Sequence, residues 1–354
     1  MAEYVLNTWY PIAWSRDITH GLTSRRIVEQ DVVMYRNSQG KVVAHLDVCP
    51  HRMMPLSMGR LKDDTIQCGY HGLQFDCSGQ CVRIPGQAHI PPAATLKTYP
   101  VHEHMGLVWI WMGDAALADT RTVYDLPQYH DPDWDVVEGD ALQIGCNYLN
   151  LCDNLCDPSH VSFVHLSTLG NAASEDVPVH SEVTEAGVLT WRWIIDAPAI
   201  PIFQKFGGYT DHVDRWHYYH YTAPSIAVID FGTAPTGTGA PDGNRDNCVQ
   251  IFACHFMTPV DENTTIDHWM HVKNFKADPQ TNKDMSAALR EAFNEDKVIL
   301  EAIHANERKY PGFRTVSLGL DRSPMRMRKK VDSLIADEQA QRQDKKTPAT
   351  ERVA

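Results

Sequence analysis

Two short motifs in the first quarter of the chain most constrain its fold. Cys49-x-His51 and Cys68-x-x-His71 each pair one thiol with one imidazole, and sixteen residues separate them. Thiolate and imidazole are both good ligands for transition metals. A zinc finger would place its two cysteines together and then its two histidines, whereas here Cys-His is followed by Cys-His. The pattern predicts two loops of one small domain that meet around a metal centre.

The Cys-His order suits a [2Fe–2S] cluster in which two thiolates bind one iron and two imidazoles bind the other. Each loop then supplies one ligand to each iron. Neutral imidazoles in place of two thiolates reduce the negative charge, which raises the reduction potential to roughly −150 to +300 mV. Such a cluster can accept an electron and pass it on. A mononuclear zinc site and a set of unligated thiols are the alternatives.

Composition and charge exclude other classes of protein. The chain has 354 residues, is 43% hydrophobic and can bury a sizeable core. Its formal net charge of −13 argues against nucleic-acid binding, which needs clustered Lys and Arg. The start lacks the pattern of a signal peptide, and the apolar runs are too short to span a bilayer. We therefore expect a cytoplasmic protein whose nine cysteines ligate metal or lie buried as thiols.

The distribution of strand and helix signals indicates two domains. Short runs rich in β-branched and aromatic residues alternate with turns over residues 1–118, which predicts a small β-rich domain. Residues 119–335 combine a helical segment near 147–166, five strands between 188 and 272, and a long helix near 284–309. Elements grouped in blocks predict an α+β fold. The polar composition of residues 336–354 predicts a disordered tail.

A second group of candidate ligands lies in the helical segment, where Asn154, Asp157 and Pro158 precede His160 and His165. Residues five apart diverge by roughly 140° on a regular α-helix, so the two imidazoles converge only if the helix is irregular. Pro158 provides a reason, because it removes a backbone donor and kinks the turn. Two histidines and one carboxylate form the facial triad that leaves positions on Fe(II) open for O2.

The long helix supplies the carboxylate. Asp296 falls on the apolar stripe of this helix, three residues after Phe293 and three before Ile299. A carboxylate buried there is costly unless it is paired or bound to metal. Glu295 is rotated toward the polar flank with Glu291, so periodicity selects Asp296 over Glu295 as the buried acid. A salt bridge to a buried Arg or His is the alternative.

Three further histidines lie in predicted strands. The alternating pattern around His255 could point its ring into a pocket, where it would hydrogen-bond an anionic or phenolic substrate. More often, such a residue is a core or surface histidine whose ring nitrogens are hydrogen-bonded within the protein or to water. His217 and His220 are flanked by aromatic residues, and we expect them to be structural.

Together the two constellations resemble the Rieske non-haem iron oxygenases, and the likeness covers nearly the whole chain. The resemblance implies an N-terminal β-rich Rieske [2Fe–2S] domain and a C-terminal α+β helix-grip catalytic domain with an antiparallel sheet. It also implies two metal sites: a cluster held by Cys49, His51, Cys68 and His71, and a mononuclear Fe(II) held by His160, His165 and Asp296.

The same resemblance assigns roles to neighbouring residues and partners. Asp157 matches the acid that links a Rieske histidine of one subunit to an iron-ligand histidine of the next, so it would meet His71 across a trimer interface. Asn154 would lie near the iron without ligating it tightly, and either a catalytic role or a capping or structural one fits it. A separate NAD(P)H-dependent reductase with flavin and its own iron–sulfur cluster would deliver electrons. The sequence lacks a Rossmann-type dinucleotide-binding fingerprint, which fits the binding of NAD(P)H by a separate reductase.

Two local sequences point to a branch of this family. Trp9-Tyr10-Pro11 and Glu295-Asp296-Lys297 look most like the oxygenase subunits of the vanillate O-demethylase type. This implies conversion of vanillate to protocatechuate and formaldehyde, in the catabolism of lignin-derived aromatics. The alternatives are a Rieske oxygenase acting on syringate, on a dicamba-like ether or by ring dihydroxylation, and a non-catalytic Rieske electron carrier.

Overall fold

The computed structural model describes residues 4–346, with side chains as far as residue 343, and divides into two compact units. The first unit runs to Asp125 and takes in the short segment Thr258–Asp261. The second comprises Leu126–Met257 and continues from Glu262. The first unit therefore includes a piece of chain from far beyond the boundary that we predict at residue 118.

Short strands build the first unit, in agreement with the predicted β-rich domain. They are β1 Trp9–Trp14, β2 Thr23–Ile27, β3 Gln30–Arg36, β4 Val42–Leu46, β5 Arg60–Lys62, β6 Thr65–Gln67, β7 Gln74–Phe75, β8 Cys81–Arg83, β9 Val101–His104 and β10 Leu107–Trp111. They pair antiparallel in three small sheets, ordered β1-β10-β9, β2-β3-β4 and β5-β6-β7-β8.

Strand β3 lies between the two apolar cores of this unit, because alternate side chains of a strand point to opposite faces. Val32 and Met34 pack into the core around β1 and β10. Val33 and Tyr35 pack into the second core, which contains both Cys49 and Cys68. The alternation of β3 thus places the cysteine loops on one face of the β2-β3-β4 sheet.

The segment Thr258–Asp261 joins the first unit through backbone hydrogen bonds to the β2–β3 turn. Val28 and Glu29 form this turn with φ of 41° and 64°, a conformation that is costly for residues with a Cβ. Their N–H groups donate to the carbonyls of Pro259 (2.7 Å) and Val260 (3.0 Å). These bonds offset the cost of a turn that lacks glycine.

The second unit contains the helices and the remaining strands, except for the last four residues of β16, which belong to the first unit. They are β11 Asp135–Ile144, β12 His180–Val183, β13 Gly187–Pro198, β14 His212–Thr222, β15 Ile226–Pro235, β16 Val249–Asp261, β17 Thr264–Lys273, α1 Pro127–His130, α2 Tyr148–Asn154, α3 Val161–Val164, α4 Pro201–Gly207, α5 Pro279–Lys309 and α6 Arg322–Lys346. The strands form one sheet in the order β11-β17-β16-β15-β14-β13-β12.

Helix α5 packs its apolar stripe on one face of this sheet. The ring of Phe293 meets Trp269 of β17 at 5.1 Å and His255 of β16 at 4.7 Å between centroids. An antiparallel sheet with a long helix packed on one face confirms the predicted α+β helix-grip architecture.

Three local predictions differ from the structure. The helical segment near 147–166 is not continuous, because α2 ends at Asn154 and a 3₁₀ turn at Pro158–His160 precedes α3. Strands β11 and β12 do not appear among the predicted elements. Helix α6 continues as far as Lys346, into the tail that we predict to be disordered from residue 336. The rest of that tail lies outside the described residues.

Among residues 4–346, none of the helices is both long enough and apolar enough to cross a membrane.

Candidate metal centres

The two cysteine loops have matching backbone bonds. In the first loop, Cys49 N–H donates to Met54 O at 2.9 Å. In the second, Cys68 N–H donates to Leu73 O at 2.8 Å, and Gly72 with φ of 73° closes the turn back to Cys68 O. Both thiols are buried. Burial raises the pKa of Cys49, as does the hydrogen bond to the neighbouring Cys68 thiol. A bound cation would favour the thiolate form of Cys49.

The histidines of the same loops lie at the surface. His51 and His71 are exposed, and their ring centroids are 4.6 Å apart. The loops therefore present a buried thiol pair on one side and an exposed imidazole pair on the other. This division matches a binuclear cluster with one iron inside and one near solvent.

A single zinc ion fits this arrangement poorly. Four ligands of one tetrahedral zinc lie roughly 3.3–3.8 Å from one another. Among the described residues, two groups of three donor atoms come within 4.8 Å of one another, and neither contains Cys49, His51, Cys68 or His71. The donor chemistry and its spread fit a [2Fe–2S] cluster.

The second centre lies in the second unit, where the break between α2 and α3 brings two histidines to one point. Asp157 caps the 3₁₀ turn by accepting from Ser159 N–H at 2.8 Å, and Pro158 begins that turn. His160 ends the 3₁₀ turn, and His165 follows α3. Their rings converge to 5.2 Å between centroids. The irregularity that Pro158 predicts is what allows residues five apart to face one site.

Helix α5 brings Asp296 to the same point. Its carboxylate oxygens lie 3.5 Å from His160 Nε2 and 3.3 Å from His165 Nε2. The three donor atoms lie within 4.8 Å of one another, and Asp296 is 7% exposed. Two imidazoles and one carboxylate on three sides of a small space form the arrangement of a 2-His-1-carboxylate metal site.

Two further side chains orient this triad. Asn154 Nδ2 donates to Asp296 Oδ1 at 3.0 Å, so Asn154 contacts the carboxylate from outside the three-residue group. Glu295 Oε2 lies 2.8 Å from His165 Nδ1 and also accepts from Thr168 Oγ1. A carboxylate on the far nitrogen fixes the orientation of a ligand imidazole and increases its basicity. Sequence periodicity assigned Glu295 to the polar flank and missed this contact.

The charges of the triad are set by burial and by these contacts. Burial lowers the pKa of His160 despite the nearby Asp296 and Asp157 carboxylates. Burial also opposes a charge on His165, but Asp296 and Glu295 raise its pKa. Burial opposes ionisation of Asp296, yet its contacts with both histidines and Asn154 lower its pKa. Asp296 is therefore an ionised carboxylate, as a metal ligand must be.

An apolar cavity opens beside the triad. Its lining includes Leu289 and Phe293 of α5 and Ile229 and Phe231 of β15. His255 also lines it, with its Nδ1 at 2.7 Å from Asp267 Oδ2. Its Nε2 is buried without a hydrogen-bond partner among the described residues. A mostly apolar cavity with a few polar groups is typical of a small-molecule site.

His217 also lines this cavity, although the sequence indicates a structural role. It is buried on β14 opposite Arg192 of β13, and Arg192 Nε donates to its Nδ1 at 3.2 Å. His220, three residues later, is exposed. The polar and aromatic residues of β14 alternate on both faces, so the sequence does not reveal which histidine faces the cavity.

Comparisons with known proteins agree with both centres. The family models of the Rieske [2Fe-2S] domain and of the vanillate O-demethylase oxygenase C-terminal domain match residues 8–100 and 144–337. The chain is 37% identical over 305 residues to the toluene-4-sulfonate monooxygenase system iron-sulfur subunit of Comamonas testosteroni, covering 84% of this chain and 88% of the relative. It is 31% identical over 342 residues to a vanillate O-demethylase oxygenase subunit of a Pseudomonas species, covering 94% and 95%.

A solved structure of a related protein has the same fold. Dicamba monooxygenase bound to 3,6-dichlorosalicylic acid superposes with a TM-score of 0.87 at 30% sequence identity, covering 96% of this chain and 100% of that chain. Another structure of that enzyme contains non-heme iron and dicamba.

Proposed function

Because the chain belongs to the Rieske non-haem iron oxygenases, we propose that it O-demethylates vanillate to protocatechuate and formaldehyde. Its cofactors are a [2Fe–2S] Rieske cluster and a mononuclear non-haem iron. The observation that carries the proposal is the convergence of His160, His165 and Asp296 beside an apolar cavity. An electron carrier would need no such triad, so we reject the non-catalytic alternative.

When bound, the two groups supply one-electron transfer and activation of O2. We propose that Cys49 and Cys68 hold the buried side of the cluster and that His51 and His71 hold its exposed side. His160, His165 and Asp296 would hold the iron. The apolar walls of the cavity beside them would exclude water from the reaction.

The proposed reaction balances with two electrons. The aryl methyl ether, O2, two electrons and two protons give a methyl-hydroxylated ether and water. This hemiacetal collapses to the phenol and formaldehyde. Electrons come from a separate reductase, as the relatives named as oxygenase components imply, and we propose that NAD(P)H is their source. His255 would hydrogen-bond a polar substituent of the substrate through its buried Nε2.

We propose a homotrimer in which Asp157 meets His71 of the next subunit. Asp157 lines a hollow with Arg192, Leu320 and Arg322. The chain around this hollow exposes apolar side chains, since Leu320 is 56% and Val316 is 79% exposed. Exposed apolar groups around a polar hollow are typical of an interface. An acid hydrogen-bonded to both imidazoles would fix their orientation for electron transfer.

We place the protein in the cytoplasm. All nine cysteines are free thiols in the structure. Proteins of oxidising compartments commonly pair theirs, whereas reducing compartments keep thiols free for metal ligation.

A second candidate reaction is the monooxygenation of toluene-4-sulfonate. The observation that favours it is the identity of 37% to the toluene-4-sulfonate monooxygenase subunit, against 31% to the vanillate O-demethylase subunit. Both substrates are aromatic anions with one oxidisable methyl carbon, so the same cavity could serve either.

The proposal is tested by turnover of the purified, iron-loaded chain with a flavin–iron–sulfur reductase, NADH or NADPH, and vanillate. We expect formaldehyde and protocatechuate in equal amounts, with matching consumption of O2. Toluene-4-sulfonate serves as the second substrate in a parallel reaction. A protein that carries both metal centres and oxidises only the sulfonate would contradict the vanillate assignment.

The contact between Glu295 and His165 gives a separate prediction. Replacing Glu295 with alanine is expected to weaken binding of the mononuclear iron about 10- to 100-fold, because His165 loses the partner that orients its ring. Glu295→Gln keeps an acceptor and should lose less. Glu291 is exposed one turn earlier on α5, so Glu291→Ala is the matched control. Iron retention measured during titration with a chelator distinguishes the variants, and equal retention in all of them would refute the role of Glu295.

A further inference from the structure

Buried positive charge that has no ion-pair partner among the described residues lies next to His217, which lines the cavity. Arg192 is 1% exposed and Arg215 is 0% exposed. Arg192 donates to two backbone carbonyls, of Ser174 at 2.9 Å and Pro158 at 2.8 Å, and to His217. The carboxylate of Asp157 acts on Arg192 only from beyond ion-pair distance.

The guanidinium of Arg215 makes fewer hydrogen bonds than that of Arg192. Its Nη2 donates to Asn171 Oδ1 at 3.0 Å. Its Nε and Nη1 are buried without hydrogen-bond partners among the described residues. Burial and the neighbouring Arg192 lower its pKa to about 10, so the guanidinium remains charged at neutral pH. Two buried guanidinium groups without carboxylates are costly unless an anion approaches them.

Arg192 fixes the hydrogen-bonding character of His217. Its Nε–H occupies Nδ1 of the imidazole, so Nδ1 is an acceptor and carries no proton. Burial and the two guanidinium groups hold the pKa of His217 well below its usual range. A neutral ring with a bare Nδ1 carries its proton on Nε2. Among the described residues, Arg192 is the one hydrogen-bond partner of this ring, and His217 lines the cavity.

His255, on β16 of the same sheet, has a neighbour of the opposite charge. His255 directs Nδ1 at the Asp267 carboxylate, so this pair already contains its own anion. A second anion placed at His255 would meet the charge of Asp267. At His217 it would meet an N–H donor backed by two positive charges. Tyr219, two residues along the same face of β14, also lines the cavity.

We propose that His217, held as an Nε2–H donor by Arg192, binds the anionic substituent of the aromatic substrate. The inference rests on the proposed oxygenase function and names its substrate class: an arene with a carboxylate or sulfonate group, whose ring packs on Ile229, Phe231 and Phe293. Arg192 is a positioning residue, and Arg215 adds to the positive potential at His217. His255 is left to contact an uncharged polar group such as a phenol hydroxyl.

The test is equilibrium binding by calorimetry to the iron-loaded holoprotein under nitrogen, without reductase. The ligands are vanillate, toluene-4-sulfonate and the uncharged 2-methoxyphenol. A hydrogen bond to a charged group is worth about 10- to 100-fold in affinity. We therefore expect His217→Phe to weaken both anions by about that factor and to change 2-methoxyphenol less than about threefold. His217→Gln keeps an N–H donor and should stay within about fivefold of the wild type.

The matched control is His220→Phe, an exposed histidine on the same strand. Equal weakening of the anions and of 2-methoxyphenol in His217→Phe would overturn the proposal, because a purely structural role predicts no discrimination by charge. Failure of the wild type to bind either anion would also overturn it. If the anions bind through His217 but vanillate yields no formaldehyde, the anion site stands and the O-demethylase assignment falls.

Discussion

Replacing Asp296 with alanine is expected to remove the mononuclear iron and to lower turnover by more than about a hundredfold. Loss of a residue that only orients a metal ligand typically costs about 10- to 100-fold, and loss of a ligand should cost more. Asp296 supplies the carboxylate of the triad and contacts both histidines and Asn154. Without it, two imidazoles remain to hold the metal, and the site loses its negative charge. Iron content should fall from about three to about two atoms per chain.

The visible spectrum separates this effect from a general loss of structure. The Rieske cluster is bound in the other unit, so its absorption should be unchanged in Asp296→Ala. Asp284→Ala, on the exposed face of α5, is the matched control and should keep both iron and turnover. Undiminished turnover in Asp296→Ala would show that the triad is not the reaction centre.

Replacing Cys68 with serine is expected to prevent assembly of the [2Fe–2S] cluster and to abolish reductase-driven turnover. Cys68 is buried beside Cys49, and a hydroxyl does not replace a thiolate as a ligand for iron in such clusters. The protein should lose its red-brown colour and its inorganic sulfide. About one iron per chain should remain at the triad.

Cys81→Ser is the control for this substitution, because Cys81 lies buried in the same core. We assign it no ligand role, so its cluster content should equal that of the wild type. A coloured, sulfide-containing Cys68→Ser protein would overturn the ligand assignment.

Co-expression of Cys68→Ser and Asp296→Ala chains tests the proposed trimer. Each variant keeps the centre that the other has lost. If electrons cross from the cluster of one subunit to the iron of the next, on the order of a quarter of wild-type turnover should return. The fraction follows from random mixing, because about one interface in four then joins an intact cluster to an intact iron site. Transfer within a single subunit predicts no recovery.

Much of the architecture follows from the sequence because its signals are local. The order Cys-His, Cys-His predicts a [2Fe–2S] cluster without any knowledge of the fold. The alternation of Gly187–Pro198 and the apolar run within Val249–Asp261 allow both strands to be predicted within a few residues. Asp296 is identified by the stripe of α5, since helical periodicity shows which acid is turned inward.

The contacts that tune the second centre could not be predicted, because they depend on how elements meet. Glu295 lies off the stripe of α5, yet its side chain reaches back to His165. His217 faces the cavity because of the register of β14 against β13, which no local pattern reveals. Strand β11 was missed because a bulge between Glu138 and Ala141 interrupts its alternation. The helical signal of residues 336–346 was hidden by their polar composition.

The account is tested most directly by iron and inorganic sulfide analysis of the protein purified without oxygen, together with its visible spectrum. We predict about three irons and about two sulfides per chain in a red-brown protein, as one [2Fe–2S] cluster and one mononuclear site require. A colourless protein that contains zinc and no sulfide would contradict the assignment of both centres.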